Sequence, residues 1–164
     1  MTRSTIRPKA NAVLMVRPCH FFSNPQTAAS NRFQGQSVLS KKDQQSQAIK
    51  EFDNFVIILE AAGIEVIQFD DTAIPETPDA IFPNNWVSFH HNGSVVIYPM
   101  EAKNRRTERR VEIIDALSMH YNFQVIETLD LTHHEKHGKF LEGTGSMVMA
   151  VSYTHLTLPT NREV

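Results

Sequence analysis

One cysteine, Cys19, stands in 164 residues. An intrachain disulfide framework is therefore excluded, and the composition suits a reducing compartment, so a cytoplasmic location is expected. No apolar run is long enough to span a bilayer. The start, MTRSTIRPKANAVLMV, carries basic residues, but its apolar run is short and reads as a strand, so no signal peptide is expected. Charge of one sign is also scarce. Sixteen Lys and Arg against 18 Asp and Glu leave a net charge of −2, which argues against general binding to nucleic acid or a membrane surface. What is present suffices for one domain of ordinary size, with 41% hydrophobic residues to build its core.

The stretch from Pro78 to Met100, PDAIFPNNWVSFHHNGSVVIYPM, organises the rest. It reads as a hairpin. Asn92-Gly93 is a strong signal for a two-residue turn, because both central residues take positive φ. Ala80, Ile81 and Phe82 lead into the outgoing strand, and Val95 to Tyr98 return. Between them Pro83-Asn84-Asn85-Trp86 puts two neutral amides and the single Trp where a buried strand would carry apolar residues. An Asn-rich bend is one reading, since Asn bonds its own backbone in turns. A functional pair is the other, because the amides interrupt a strand and a basic segment follows Met100.

Upstream, Ala12 to Arg17 is a short buried strand closed by Pro18. Cys19 and His20 invite a nucleophile–base reading, but neighbours on an extended chain point to opposite faces, and Cys19 reads better as a small apolar side chain. A polar loop over Phe21 to Gln36 is a weak candidate for ligand contact. Ser40 to Ala62 reads as a helix, with Ser40 and Asp43 as a capping box and Ile49, Phe52, Val56 and Leu59 on its inner face. Gly63 stops it, and Ile64 to Phe69 forms a strand.

Downstream, a second helix is expected over Arg105 to Tyr121, with Val111, Ile114, Leu117 and Tyr121 inward. Its first turn would carry Arg105, Arg106, Arg109 and Arg110. They are either a solvated basic face or a holder for an acidic ligand group, since the Arg fork donates two parallel bonds to a carboxylate. Phe123 to Leu129 is another strand. Thr132 to Lys139, THHEKHGK, is not an HExxH motif, because only one residue separates Glu135 from His137, and it reads as a loop, so no metal is expected. In FLEGTGSMVMA, Glu142 lies between apolar residues and a Gly-Thr-Gly turn, where a carboxylate is either paired or functional.

PDAIFPNNWVSFHHNG, then NRRTERR, then FLEGTGSMV, resembles the guanidino-group-modifying, or pentein, superfamily over about Val13 to Met149. That group holds arginine deiminases, dimethylarginine dimethylaminohydrolases and amidinotransferases. The pattern looks most like the bacterial branch labelled amidinotransferase or citrulline-utilisation hydrolase. The resemblance implies an α/β fold, a pseudo-fivefold α/β propeller of ββαβ modules, with two to two and a half modules here. It implies attack by a Cys thiolate on the guanidino or ureido carbon, a His as general acid and base, and no metal or organic cofactor. Asp79 matches the substrate-binding acid, Asn84 and Asn85 match positions acidic in dimethylarginine hydrolases, Arg105 or Arg106 matches the arginine for the substrate carboxylate, and Glu142 matches the acidic partner of the catalytic His. The expected partner is a small amino acid, citrulline rather than arginine because the amides are neutral. A homo-oligomer is compatible with the family.

The last 14 residues read differently. VSYTHLTLPT is the in-frame translation of a widely used sequencing transposase adapter, and an index followed by resumed adapter accounts for Asn161 to Val164. Residues 1–150 are thus expected to be the N-terminal part of one catalytic domain, and 151–164 a non-native tail. On this reading the nucleophilic Cys and catalytic His follow Ala150 in the native protein, and the chain itself has no turnover; the alternatives are an amidinotransferase or arginine deiminase of the same fold, or a non-catalytic ligand-binding domain.

Overall fold

The computed structural model describes residues 12–28, 31, 37–121, 123–149 and 156–157. Strand β1, Ala12–Arg17, pairs in parallel with β2, Glu65–Asp70, in the register Ala12 with Glu65 through Arg17 with Asp70. Parallel neighbours need a crossover, and helix α1, Lys41–Ala61, supplies it. The capping box forms: Ser40 Oγ accepts from the Asp43 N–H at 3.2 Å and donates to Asp43 Oδ2 at 2.6 Å. Ala48 and Phe52 are buried on the inner face, with Ile49, Val56 and Leu59 half-buried. Arg17 on β1 fixes the helix from below through paired bonds to Asp53 at 2.8 and 2.9 Å.

A second unit follows. β3, Val87–Phe89, pairs antiparallel with β4, Ser94–Ile97. Helix α2, Val111–His120, then crosses over to β5, Glu127–Asp130, which lies parallel to β4. This is one complete ββαβ unit, sheet order β3-β4-β5, beside the βαβ unit of β1 and β2. The two share a core of Val16, Ile67, Trp86, Val95, Ile113 and Leu117, joined by Met100. Ile113, Ile114 and Leu117 are each at most 5% exposed, a burial worth roughly 1.5–3 kcal/mol per side chain. Phe123 docks on Phe89 edge to face, with ring centres 5.3 Å apart.

Three local expectations are corrected. Pro78 to Ile81 is a turn, so Ala80 to Phe82 do not begin the outgoing strand, and Pro83–Asn85 is one turn of 3-10 helix. Pro83 has no N–H for a ladder and fixes φ. The Asn85 and Trp86 N–H groups bond back to the Phe82 and Pro83 carbonyls at 3.1 Å each, so the strand starts only at Val87. The Asn pair therefore precedes a strand instead of interrupting one. The hairpin loop is also longer than two residues. His90 N donates to Ser94 O and Gly93 N to His90 O, with Gly93 at φ +82°. That matches a three-residue loop ending in a left-handed residue. Finally, the second helix begins at Val111. Lys103–Glu108 is a 3-10 segment, and Arg109 and Arg110 are not helical. With the start displaced, the inner face is Ile113, Ile114 and Leu117, while Val111 and Tyr121 are exposed.

The segment 132–137, expected as a loop, is a 3-10 helix ended by Gly138. A short helix α3, Gly143–Ser146, leads into β6, Val148–Met149. Residues 29–30 and 32–36 of the expected polar loop lie outside the described residues, as does Ala150. Of 151–164, Leu156–Thr157 is described as β7, paired antiparallel with β6. Among the described residues no helix is long and apolar enough to cross a membrane.

Candidate active site

Three of the residues singled out by sequence meet around one guanidinium. Arg105 is 4% exposed. Its Nε lies 3.5 Å from Asp79 Oδ2, its Nη1 lies 3.6 Å from Glu142 Oε2, and Glu108 takes its Nε and Nη2 at 3.1 and 2.9 Å. All three nitrogens of the fork are thus engaged by carboxylates.

Backbone geometry delivers each of them. Asp79 sits in the turn closed by Ala80 N to Thr77 O at 3.1 Å, and Thr77 Oγ1 is tied to Asp71 at 2.9 and 3.0 Å. Glu142 follows Leu141, whose N–H bonds Pro99 O at 3.0 Å, and Glu142 Oε1 accepts from Glu101 N at 3.2 Å. The 3-10 segment carries Arg105 and Glu108 three residues apart, on one side of a tight turn. Arg106, one residue on, points to other acceptors. Its Nε donates to Met100 O at 2.9 Å and lies 3.3 Å from Glu135 Oε2, and its fork lies over the Phe140 ring. The basic run is therefore neither a solvated face nor a helix first turn, because the chain's own acids and carbonyls occupy its forks.

The electrostatics follow from burial. Burial works against the charge of Arg105, but the hydrogen bond and charge of Glu108, with the charges of Asp79 and Glu142, outweigh it and hold the guanidinium above its ordinary range. Burial pushes the Glu108 carboxyl up to about 7 despite its bonds to Arg105, and the nearby charges of Asp79 and Asp71 add to the rise. Glu135 behaves oppositely. Burial alone would raise it, but Arg109, the Met100 N–H and Arg106 bring it below the usual carboxylate range.

Asn84 and Asn85 form the other edge. Asn84 Nδ2 donates to Thr144 Oγ1 at 2.8 Å and to Asn85 Oδ1 at 3.0 Å. Gly143 and Gly145 make this contact feasible. A Cβ on Gly143, which has φ +38°, would collide with Asn84 O, and one on Gly145 would lie 2.8 Å from Asn85 Oδ1. The two motifs, 60 residues apart in Asn84 and Thr144, thus pack backbone on backbone directly after Glu142.

Several further groups here had no individual role assigned from sequence. Asn24 is 1% exposed, and its Nδ2 donates to Asp79 Oδ2 at 2.6 Å while Asn104 Nδ2 donates to its Oδ1 at 2.9 Å. Gln44 and Gln45 of α1 hold the loop that presents it, by accepting from Ser23 N at 2.9 Å and from Phe21 N. Glu108 carried a signal, an acid three residues after Arg105. Glu135 and Arg109 pair with each other, and Glu135 also accepts from Met100 N at 2.8 Å. Beside Asn24 and Asp79 a cavity of about 930 Å³ opens, walled by Phe22, Phe52, Phe55 and Phe82. Among the described residues no group of three or more His, Cys, Asp or Glu is arranged to hold a metal ion.

The family described as N,N dimethylarginine dimethylhydrolase, eukaryotic, matches residues 17–156. The chain belongs to this dimethylarginine hydrolase family. It therefore lies within the guanidino-group-modifying superfamily of C–N hydrolases and amidinotransferase-type enzymes. The family match runs past Ala150. No curated protein matches the chain.

Solved structures show the same α/β fold. One is the adduct of a variant dimethylarginine dimethylaminohydrolase with S-methyl-L-thiocitrulline, 14% identical, with a TM-score of 0.55, covering 87% of this chain and 48% of that one. Another is the Pseudomonas aeruginosa dimethylarginine hydrolase complexed with citrulline, 14% identical, TM-score 0.54, covering 85% and 47%. A third is the cyanobacterial arginine dihydrolase of the ornithine–ammonia cycle, 17% identical, TM-score 0.55, covering 88% and 19%. The chain spans about half the length of the dimethylarginine hydrolases it matches. In this family member the described partners of Asp79, Arg105 and Glu142 include no Cys or His.

Proposed function

We propose that this chain supplies part of the substrate-holding shell of an enzyme that hydrolyses the ureido group of an arginine-like amino acid, with citrulline as substrate. The observation that carries the reading is the neutral amide pair, Asn84 and Asn85, seated against Gly143 to Gly145 beside Glu142. A carboxylate facing a guanidinium makes charge-assisted bonds, but facing a ureido oxygen it repels. An amide turns its N–H to that oxygen and its own oxygen to the ureido N–H. Asp79 and Glu142 then orient the ligand nitrogens and the catalytic His. The citrulline complex and the thiocitrulline adduct of similar proteins agree with such a ligand. The thiolate and general base come from sequence beyond Ala150, and residues 151–164 are a non-native tail. The two described units are two modules of a five-module propeller, in a cytoplasmic enzyme without metal or organic cofactor.

A second reading, a guanidino substrate as in arginine deiminases or amidinotransferases, draws on the dimethylarginine family match and on the three carboxylates around Arg105. One variant separates the two. In the enzyme extended past Ala150, Asn85→Asp should lower kcat/KM for citrulline at least about tenfold, or roughly 1.4 kcal/mol, and leave activity on arginine level or higher. Unchanged citrulline activity, or a wild type that prefers arginine, would replace the ureido reading with the guanidino one.

A further inference from the structure

We propose that Asn92 is a site of spontaneous covalent modification: the Gly93 backbone nitrogen attacks the Asn92 side chain, aspartate and isoaspartate result, and the isoaspartyl form loosens the junction of β4 with β5.

The hairpin loop sets out the chemistry. Asn92 is exposed, and it is the only asparagine in the sequence followed by glycine. A following residue without a Cβ leaves its nitrogen unhindered and its backbone free to turn. Ser94 N donates to Asn92 Oδ1 at 3.1 Å, a turn in which the side chain stands in for backbone. A turn of that shape brings Cγ close to the intervening Gly93 nitrogen. It also aims the Ser94 N–H at the oxygen on which negative charge gathers during attack. In the reaction the Gly93 nitrogen loses its proton to solvent base and bonds to Asn92 Cγ. The Cγ–Nδ2 bond breaks, and the proton leaves, through solvent, on the departing ammonia. Water then opens the five-membered ring at either carbonyl, giving aspartate or isoaspartate with no change of oxidation state.

One contact opposes the attack. Gly93 N donates to His90 O at 2.9 Å and must leave it. Breaking one neutral hydrogen bond slows the step by up to about tenfold, which a loop held by so few bonds can sustain. Other asparagines are better protected. Asn24 precedes Pro25, whose nitrogen carries no proton to lose, and Asn54 is fixed inside α1.

The product matters because of what Gly93 touches. Isoaspartate routes the backbone through the side chain and so adds one carbon ahead of Gly93. Gly93 is buried, and even a Cβ there would lie 2.6 Å from Ile126 Cγ1 and 2.7 Å from Gln124 O. Its carbonyl accepts from Ile126 N at 2.9 Å, one step before the parallel pairing of Ser94 with Glu127 begins. A lengthened chain has no room at this point without giving up that bond.

The folded 164-residue chain is incubated at several neutral to alkaline pH values and mapped by peptide mass spectrometry, with aspartate and isoaspartate resolved. Asn92 should convert at least about tenfold faster than every other asparagine, faster at higher pH, and to both products. Thermal unfolding of the aged protein is compared with freshly made Asn92→Asp, which carries the new charge without the extra backbone atom, and with aged Asn92→Gln, whose ring would have to be six-membered. The aged wild type should melt below both. Equal rates at Asn92 and elsewhere overturn the site, and aspartate without isoaspartate overturns the attack by Gly93. Both products with a melting temperature equal to that of Asn92→Asp, or an equal loss in aged Asn92→Gln, overturn the effect on the strand junction.

Discussion

Glu108 should make stability fall as pH rises through neutrality, the reverse of what paired carboxylates usually do. Its side chain is fully buried, and burial raises its carboxyl from an ordinary 4.5 to about 7 even with Arg105 alongside. Between those two values the native state holds a proton that the unfolded chain has lost. Stability is then greatest below about pH 4.5 for this group, declines up to about pH 7, and is flat above. At about 1.4 kcal/mol per pH unit, the displacement corresponds to about 3 kcal/mol. Other groups titrate nearby. Glu135 and Asp130, both held low, act below the ordinary carboxylate range, and His134, also lowered, works in the opposite sense just below its ordinary value. Glu108→Gln keeps an acceptor for Arg105 and removes the proton exchange. Urea unfolding of both proteins at several pH values between 5 and 8 isolates the difference. The wild type should lose about 2–3 kcal/mol relative to Glu108→Gln across that window. Parallel stability profiles would refute a Glu108 carboxyl held protonated by burial.

Gly143→Ala should cost about 1–3 kcal/mol, because the new Cβ meets Asn84 O and the backbone there is left-handed; denaturant unfolding measures it, and a loss under about 0.5 kcal/mol would mean the two motifs are not in close contact. Removing Val151 to Val164 should change stability by less than about 1 kcal/mol, despite the two-residue ladder of β6 and β7; a larger loss in thermal unfolding would count against a non-native tail. The purified 164-residue chain should release no ornithine, ammonia or citrulline from citrulline or arginine; turnover above a blank that disappears in Asp79→Asn would show that the thiolate and base are not needed from elsewhere.

Where one periodic pattern dominated, sequence and structure agree. The capped helix at Ser40, its inner face around Phe52, and the strands on either side follow from apolar spacing and a local capping box. Motif order placed the chain in its superfamily, because PNNW, the basic run and EGTG are short and contiguous. The 3-10 turn at Pro83, the three-residue hairpin loop and the late start of α2 at Val111 were not legible. Each is decided by which carbonyl a given N–H finds or by where an arginine fork can reach. The sequence alone marked Asp79, Arg105 or Arg106, and Glu142 as candidates, through the family resemblance. Only the tertiary structure decided that they meet, that Glu108 joins them in the dry interior, and that Arg106 turns away to Glu135. The physical reason is range. Helix and strand periodicity act over a few residues, whereas a carboxylate finds its cation across a fold, and burial then sets how strongly it holds its proton.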